Sequence, residues 1–544
     1  MAKAGANGSA KGARSAPGTG GGVAGLGKSK RKPVQVPPRF ASDAAGDGDG
    51  RVASASGTAA ASTATSAGSA AAARLSSGGA GKLPSSGVDP SSIASFREAC
   101  EYLFARTDLE RLKPTNATRD LYRLDRMHEL AKRLGDPQNA LRMVHIAGTK
   151  GKGSTCEMVA TCLEACGYTV GCYTSPHILD VRERLRINRS LISESAFVGL
   201  TKRVASVAQE MEAEHGPATF FELTTAMALL YFAEEAVDAA VIEVGLGGLL
   251  DCTNIITPEV AAVTMIGFDH MDILGKTLEE IAAQKAGIYK PGVPALTFEQ
   301  DKKVLEVLRS KASTVGAPFS VVGQDIDFTA RTEFVSGVGP LVRASLVTER
   351  NNYDHVTVPL KGEHQANNCG LALAILDKLS ERGFNCPADL VSKGLDQTKL
   401  PGRFELVTRS PRVLADVAHN PESVQALMRT MSAHLPYDSL VVVFGCAADK
   451  DIPGMLRQLA AAADKVIFTK ASGNSRATSP SELARKYHEV SGGKMFQVAR
   501  DLSDAMELGL RAVGRDDVLC VTGSFYIVGE AKKWLAAKLA AKKK

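Results

Sequence analysis

The sequence predicts an α/β protein with two domains, each built on a mostly parallel sheet. Short apolar runs with strand character recur, and helical patterns lie between most of them, which is typical of a parallel sheet covered on both faces. With 544 residues, 44% of them hydrophobic, the chain can form more than one core. The apolar runs are Met143–Ala147, Ala239–Val244, Val260–Met265, Val413–Val417, Leu440–Phe444, Val466–Thr469 and Val518–Thr522, and the helical patterns include Thr224–Ala236, Leu278–Ala286, Glu363–Leu379 and Glu422–His434.

The first 88 residues differ in composition from the rest of the chain. They are mainly Gly, Ala and Ser, so they cannot bury enough apolar surface to offset chain entropy, and we predict a disordered tail. This segment has 11 Lys or Arg and three acidic residues, a charge of +8 that leaves −2 of the total +6 for residues 89–544. The basic, acid-poor composition up to Phe40 also permits a transit peptide, although the absence of a clear amphipathic helix favours a plain low-complexity tail. We expect a cytoplasmic protein, or a mitochondrial or plastid one if the tail targets an organelle.

Composition also argues against two classes of partner. No run of about 18 apolar residues occurs, so we expect no membrane span. The mildly acidic body has no basic stripe, so we expect no nucleic acid partner. Ten cysteines without a C-x-x-C pair or a secretory signal indicate free thiols in a reducing compartment.

The first apolar run continues into a glycine-rich segment, VHIAGTKGKGST at Val144–Thr155, and a helical pattern follows. Gly148 and Gly151 therefore lie at a strand-to-helix turn, where backbone amides and the helix dipole favour a phosphate. Lys152 can reach the outer phosphates of a nucleotide, and Ser154 or Thr155 can place a hydroxyl on a phosphate or its Mg²⁺. A glycine separates the lysine from the hydroxyl, unlike the common G-x-x-x-x-G-K-[ST] loop. The segment predicts binding of ATP or a close relative.

A P-loop ATPase domain is therefore predicted over residues 89–397, followed by a smaller Rossmann-like α/β domain over 398–544. Within the first, residues 318–360 interrupt the alternation with the β-branched runs FSVV, VRASLV and HVTVPL. These runs predict a small antiparallel insertion. The boundary is placed where a helical pattern ends near Lys393 and Pro401 precedes the next αβ pattern.

Polar residues follow three of the predicted strands. Ser175 lies on a turn fixed by a proline, Glu243 ends an apolar strand, and His270 follows a third strand. Ligands collect at the carboxyl ends of strands in open α/β sheets. A buried Glu243 predicts a metal ligand, with a salt bridge to an arginine as the alternative. Lys285 alone would be interpreted as a solvated lysine, although its apolar neighbours suggest a partly buried amine.

These segments resemble the folylpolyglutamate synthase and dihydrofolate synthase family of the Mur ligases, in versions similar to the bacterial enzymes. The motifs are HIAGTKGKGST, YTSPHILDVRERLRIN, VIEVGLGGLLDCTN, GFDHMDILGKTLEEIAAQKAGIYKPG, PLKGEHQANN, LPGRFELV, LADVAHNPES, FGCAADKD and VTGSFYIVGE. They cover roughly Phe96 to Leu535 in a fixed order. The resemblance implies the Mur ligase architecture for the two domains.

The resemblance further implies an ATP-dependent ligase that adds L-glutamate to tetrahydrofolate, building a γ-linked chain, and also to dihydropteroate, through an acyl phosphate. It implies two Mg²⁺ ions, and K⁺ or another monovalent cation is a further expected cofactor. The implied nucleotide-binding residues are Gly148, Thr149, Lys150, Gly151, Lys152, Gly153, Ser154, Asn368, Arg403 and Asp416. The implied metal ligands are Ser175 and Glu243 for one ion and His270 and a carbamate on Lys285 for the other. His419 is expected near the incoming glutamate, and Lys152, His270 and Lys285 are the expected catalytic residues.

The alternatives to this predicted function differ in the reaction that the protein would catalyse. Within the ligases they are a dihydrofolate synthase alone or another Mur-type amino-acid ligase, and beyond them a P-loop kinase or GTPase. An inactive ligand-binding relative is a further alternative, against which Ser175, Glu243, His270 and Lys285 together argue. Leu249 stands where the family often has an arginine after GG, and this departure bears on the pterin-side substrate. We expect a monomer.

Deletion of residues 1–88 is expected to leave activity and melting temperature nearly unchanged, because this segment lacks a core-forming composition. Thermal unfolding and a ligation assay on the full and shortened chains measure this. A melting temperature lower by many degrees would show that the segment packs on the body. Fusion of the segment to a reporter separately tests whether it targets an organelle.

Overall fold

The computed structural model describes residues 89–108, 122–336, 339–472, 474 and 476–542. These residues belong to one compact unit, Ser62–Lys544, and contain two large sheets with helices on both faces. The predicted α/β class with mostly parallel sheets is therefore confirmed. The predicted tail lies outside the described residues.

The N-terminal sheet has eight strands, and the strand before the glycine-rich segment is near its centre. The strands are β1 (Met143–Ala147), β2 (Val170–Tyr173), β3 (Leu185–Ile187), β4 (Ser190–Leu191), β5 (Ala239–Glu243), β6 (Val260–Val263), β7 (Ala295–Phe298) and β8 (Phe319–Val322). Their order is β4-β3-β2-β5-β1-β6-β7-β8. Neighbouring strands in the run β2-β5-β1-β6-β7-β8 are parallel, whereas β3 and β4 are antiparallel strands at one edge of the sheet. Every residue of β1 is buried, as expected for a central strand with helices on both sides.

Helices cover both faces of this sheet. They are α1 (Phe96–Phe104), α2 (Asp125–Arg133), α3 (Lys152–Ala165), α4 (Glu194–Glu210), α5 (Glu212–His215), α6 (Phe220–Glu234), α7 (Met271–Leu274), α8 (Leu278–Lys285), α9 (Lys302–Val315), α10 (His364–Glu381) and α11 (Ala388–Gln397). Single 3-10 turns cover Pro90–Ser92, Pro137–Ala140, Val181–Arg184, Cys252–Ile255 and Ala286–Ile288. Side chains alternate along β1, so Val144 and Ile146 pack with α3, α10 and α11. Met143 packs on the opposite face with α1, α4 and α6.

A small antiparallel sheet follows β8. Its strands are β9 (Asp327–Val335), β10 (Gly339–Val347) and β11 (Asn352–Thr357), in the order β11-β10-β9. The VRASLV and HVTVPL runs do contribute to these antiparallel strands, but the assignment of FSVV to the insertion is wrong. FSVV forms β8, which pairs in parallel with β7 at the edge of the large sheet. A four-residue apolar run contains no signal of its pairing direction, so the sequence could not separate the two cases.

The C-terminal sheet has six strands. They are β12 (Glu405–Arg409), β13 (Arg412–Ala415), β14 (Leu440–Phe444), β15 (Lys465–Phe468), β16 (Met495–Val498) and β17 (Val518–Thr522), in the order β12-β13-β17-β14-β15-β16. Only β12 is antiparallel to its neighbour. The helices α12 (Pro421–His434), α13 (Ile452–Ala462) and α14 (Pro480–Ser491) cover one face, and α15 (Leu502–Ala512) and α16 (Phe525–Lys542) cover the other.

Two further expectations concern the described residues. No helix among them combines the length and the apolar composition that a membrane span requires. All ten cysteines are free thiols, as predicted.

Candidate active site

A cavity of about 640 Å³ lies where the carboxyl ends of parallel strands from both sheets face each other. Residues that follow β1, β2, β5 and β6 form one wall, and residues that follow β13, β14, β15 and β17 form the other. The cavity brings together every predicted site residue, namely Gly148, Thr149, Lys150, Gly151, Lys152, Gly153, Ser154, Ser175, Glu243, His270, Lys285, Asn368, Arg403, Asp416 and His419. Most of these residues follow the carboxyl end of a strand, as is common for ligand sites in open α/β sheets, whereas Asn368 and Lys285 lie in α10 and α8 and Arg403 precedes β12.

The glycine-rich turn fits closely against its surroundings. Gly148 has a φ of 147°, and a Cβ there would lie 1.8 Å from the Thr264 hydroxyl oxygen. Gly151 has a φ of 93°, and a Cβ there would lie 2.3 Å from the side-chain oxygen of Asn368. Both positions therefore require glycine for backbone conformation and for space. Gly151 is also the N-cap of α3, so the first turn of this 14-residue helix faces the cavity without a side-chain cap.

Two lysines converge on one carbonyl oxygen of this turn. The Nζ of Lys152 donates to the Gly148 oxygen at 3.2 Å, and the Nζ of Lys285 donates to the same oxygen at 2.9 Å. Lys285 is buried, so its interpretation as a solvated lysine is wrong and the buried amine is confirmed. Burial, together with the charge of Lys152, lowers the pKa of Lys285 to about 7. A substantial fraction of this amine is therefore neutral at neutral pH.

Ser175 and Glu243 lie side by side at the ends of β2 and β5. The backbone N–H of Ser175 donates to Oε2 of Glu243 at 3.1 Å. The two Glu243 carboxylate oxygens lie 3.7 and 3.8 Å from the position of a Cβ on Gly153, beside the start of α3. The buried carboxylate thus faces the place where the turn and the helix dipole favour a phosphate.

Asp269 connects the two walls of the cavity. Its Oδ1 accepts a hydrogen bond from Nζ of Lys450 at 2.8 Å, and its Oδ2 lies 4.0 Å from Nε2 of His419. Burial acts to raise the pKa of Asp269, but His270, Lys450 and His419 outweigh burial and hold it well below its usual range. Burial lowers the pKa of His270 and of His419 to about 4, so both imidazoles are neutral at neutral pH.

A second ion pair crosses the cavity at its exposed side. Nζ of Lys150, in the glycine-rich turn, donates to Glu422 at the start of α12 at 2.9 Å. Both side chains are partly solvated, so the pair contributes at most about 1 kcal/mol. Together with the Asp269–Lys450 pair, it links the turn to the C-terminal wall.

Other predicted residues lie around the turn and on the C-terminal wall. Asn368 is buried against the turn and donates to Gln365 at 2.9 Å. The Arg403 guanidinium lies 5.5 Å from the centre of the Phe525 ring. Asp416 accepts hydrogen bonds from the backbone N–H groups of Phe404 and Ala418, and burial raises its pKa.

The described residues offer oxygen and nitrogen donors for Mg²⁺ in small groups. Among them, no three His, Cys, Asp or Glu side chains are arranged to hold a metal ion. Each predicted ligand set instead contains only one side chain of these types. Glu243 is combined with Ser175, and His270 is combined with Lys285. The adjacent Ser175 and Glu243 provide the oxygen ligands that Mg²⁺ prefers, so the first set fits the ion. The amine of Lys285 donates a hydrogen bond to the Gly148 carbonyl and offers no oxygen ligand to a metal ion. The second set therefore fits Mg²⁺ only if Lys285 is in its carbamate form.

Several cavity residues were not predicted as site residues, and three of them carry a charged group beyond a strand end. Asp251 is buried behind the turn after β5, Lys450 follows β14, and Arg476 follows β15. Each lies beyond the carboxyl end of a parallel strand, which is the signal that could have identified it. The pairing of Lys450 with Asp269 joins residues 181 positions apart and has no local sequence signal.

Comparison with known proteins agrees with this architecture. Residues 146–376 match the family model described as "Mur ligase middle domain", and residues 402–525 match "Mur ligase, glutamate ligase domain". The dihydrofolate synthase/folylpolyglutamate synthase of Bacillus subtilis is 34% identical over 76% of this chain and 94% of that protein. The Escherichia coli protein with the same description is 33% identical over 76% of this chain and 92% of that protein.

Solved structures give the same result. Mycobacterium tuberculosis folylpolyglutamate synthase complexed with ADP has a TM-score of 0.70 and 32% identity, covering 77% of this chain and 96% of that one. E. coli FolC in complex with DHPP and ADP has a TM-score of 0.69 and 28% identity, covering 84% of this chain and 100% of that one. The chain therefore belongs to the folylpolyglutamate synthase and dihydrofolate synthase family of the Mur ligases.

Proposed function

We propose that this protein is an ATP-dependent ligase that joins L-glutamate to the carboxylate of tetrahydrofolate, and also to that of dihydropteroate. The observation that carries the proposal is the cavity itself. The glycine-rich turn with Lys152 lines this cavity together with Arg403 and Lys450 of the C-terminal wall, which supports the binding of a phosphate between them. The names of the relatives, which include both activities, support the same reaction.

ATP would lie with its phosphates on the glycine-rich turn and at the start of α3. Lys152 would leave the Gly148 carbonyl and meet the outer phosphates, because a phosphate oxygen is a stronger acceptor than a carbonyl. In this proposal Arg403 reaches the phosphates from the opposite wall, Asn368 contacts the adenine and Asp416 holds the ribose. The ADP in the M. tuberculosis relative supports a nucleotide in this cavity.

Two Mg²⁺ ions are part of the proposal. Ser175 and Glu243 would hold one, and His270 and the Lys285 carbamate the other. When bound, such ions neutralise charge on the phosphoryl oxygens. Buried Lys285 can form a carbamate because its neutral amine is the species that adds to CO₂, releasing one proton.

The proposed chemistry has two steps. A folate carboxylate oxygen forms a bond to the γ-phosphorus while the bond to ADP breaks, which gives an acyl phosphate. The deprotonated glutamate amine then attacks the acyl carbon, and the carbon–oxygen bond to inorganic phosphate breaks. Lys152 and Arg403 stabilise negative charge on the oxygens of the transferring group, which is the largest electrostatic demand of the reaction.

The substrates would enter from different sides. Phe268 and Leu250 are 50% and 45% exposed at the cavity and offer an apolar surface to the pterin side of the folate. Glutamate has two carboxylates, and the C-terminal wall offers Lys450 and Arg476 beside His419. In the described structure Lys450 pairs with Asp269 and Arg476 pairs with Asp449, so the glutamate carboxylates would compete with those two side chains.

Lys450→Met is expected to raise the KM for glutamate about ten- to a hundredfold, since a hydrogen bond to a charged group contributes about 1.5–3 kcal/mol. ADP affinity should stay within about twofold. Lys486→Met, which breaks a surface ion pair with Glu482 on α14, serves as the control. Initial rates over a glutamate series measure the effect. An unchanged KM for glutamate would remove Lys450 from the proposed glutamate site.

The acyl phosphate is tested with folate labelled by ¹⁸O in its carboxylate. The proposed chemistry transfers one labelled oxygen to inorganic phosphate for each glutamate added. Unlabelled phosphate with normal product formation would contradict the intermediate. ADP release that requires neither glutamate nor folate would instead favour a kinase or an ATPase.

Several finer statements stay predictions, namely use of K⁺, the monomeric state and the cellular location. The domain limits 89–397 and 398–544 stay proposals as well. They agree with the position of the segment between α11 and β12, which connects the two large sheets.

A further inference from the structure

A buried hydrogen-bond chain begins at His145, the middle residue of the central strand β1. His145 is 0% exposed, and its neighbours in β1 are all apolar and buried. An imidazole at such a position is costly unless its polar atoms are satisfied. Its Nε2 lies 2.9 Å from the hydroxyl oxygen of Thr253, which is also 0% exposed.

The direction of each hydrogen bond in this chain can be assigned. The Thr253 hydroxyl donates to Oδ1 of Asp251 at 2.5 Å, and the backbone N–H groups of Thr253 and Leu246 donate to the same carboxyl group. Burial raises the pKa of the Asp251 carboxyl group and the three hydrogen bonds act against burial, with Asp251 as the acceptor in each of them. The single hydroxyl hydrogen of Thr253 is therefore used, so the Nε2 of His145 carries a hydrogen and donates it to Thr253.

The remaining nitrogen of His145 is consistent with this assignment. Its Nδ1 is buried and accepts no hydrogen bond from the part of the chain that the structure describes. Burial, with the nearby charge of Lys290, lowers the pKa of His145 to about 3, so the ring is neutral with its hydrogen on Nε2. The chain thus runs in one direction, from His145 through Thr253 to Asp251.

Asp251 connects this chain to the candidate active site. It lines the cavity and accepts from Leu246, which closes the turn between Gly245 and Asp251. This turn packs on the end of α8, because a Cβ on Gly248 would lie 2.8 Å from the carbonyl oxygen of Lys285. The N–H of Leu249 also donates to the Gln284 carbonyl at 2.8 Å.

We propose that His145 and Thr253 are positioning residues that act through Asp251 on the turn that supports Lys285. This inference rests on the proposed ligase function, because Lys285 is assigned a role in that reaction. Apolar side chains in place of His145 and Thr253 would fill the same space but leave Asp251 with backbone donors only. We therefore infer that the hydroxyl of Thr253 orients the Asp251 carboxylate, and that this carboxylate holds the turn through the N–H of Leu246.

Thr253→Val and Thr253→Ser test the inference in the full-length protein. Valine keeps the volume and the backbone donor but removes the hydroxyl, whereas serine keeps the hydroxyl. We expect Thr253→Val to lower kcat about tenfold or more, the effect of losing a partner that orients a site residue. Thr253→Ser should retain at least about half of kcat, and the ADP dissociation constant should stay within about twofold in both variants.

Thr201→Val is the matched control. Thr201 is a buried threonine of α4 that is not part of the cavity lining, and its hydroxyl donates to the Phe197 carbonyl at 2.8 Å. We expect it to lower the melting temperature with kcat unchanged. His145→Gln, which keeps an N–H donor, should likewise retain more kcat than His145→Leu, measured well below each melting temperature.

The outcomes are distinguishable. Wild-type kcat in Thr253→Val, or equal losses of kcat in the serine and valine variants, would overturn the positioning role and leave the ligase assignment intact. If the wild-type protein itself adds no glutamate in the same assay, the proposed function fails and this inference fails with it.

Discussion

Lys152→Ala will abolish glutamate addition while the protein stays folded. Lys152 begins α3 beside the phosphate-binding turn, and its charge is expected to stabilise the γ-phosphoryl group as it moves. Loss of such a group lowers kcat about 10²-fold or more. Its hydrogen bond in the described structure is to one carbonyl of its own turn, so stability should change little. Initial rates and thermal unfolding measure the two quantities.

Lys302→Ala is the control for this variant. Lys302 is an exposed lysine at the start of α9, away from the cavity lining, and its removal should leave the rate unchanged. Wild-type turnover in a folded Lys152→Ala protein would contradict the assignment of the glycine-rich turn to phosphate binding.

Lys285→Gln will lose most of its activity, although an ordinary surface lysine would tolerate the change. Lys285 is 4% exposed and lies next to Lys152, so a neutral or carbamylated side chain costs less there than an ammonium. Lys276→Gln, on an exposed lysine paired with Asp272 near the same cavity, is the control and should be nearly silent. Rates at a series of Mg²⁺ concentrations compare the variants.

Carbon dioxide provides a separate test of Lys285. The wild-type enzyme should lose activity when CO₂ is removed and regain it when bicarbonate is added, because the carbamate forms from the neutral amine. As the pH falls below the lowered pKa of Lys285, the amine becomes protonated, so the carbamate and the activity should both decrease. Acetate or formate should partly restore Lys285→Ala by occupying the position of the missing carboxylate. An active Lys285→Gln enzyme with wild-type Mg²⁺ dependence would contradict the carbamate.

The sequence predicted the parts of the site that depend on local patterns. β1 was predicted with the observed limits, and the glycine turn after it was predicted from the spacing of Gly148, Gly151 and Lys152. Strand-end residues such as Glu243 were expected to meet because parallel strands end at the same edge, and they do line one cavity.

The sequence did not predict contacts that depend on how distant segments pack. The pair between Asp269 and Lys450 joins the two walls, and no local pattern marks either residue as a partner of the other. β8 was misassigned because an apolar strand of four residues fits a parallel or an antiparallel neighbour equally well. The burial of Lys285 was indicated only in part, by its apolar neighbours, because its helix also carries charged residues.

Incorporation of labelled glutamate, with tetrahydrofolate and with dihydropteroate in separate reactions, tests the central claim most directly. The account predicts ATP-dependent transfer of label to tetrahydrofolate, with one ADP released for each glutamate added, and the same transfer to dihydropteroate. Label on tetrahydrofolate alone would remove the dihydrofolate synthase activity from the proposal. Absence of label on both substrates, in a folded protein that binds ADP, would contradict the ligase function.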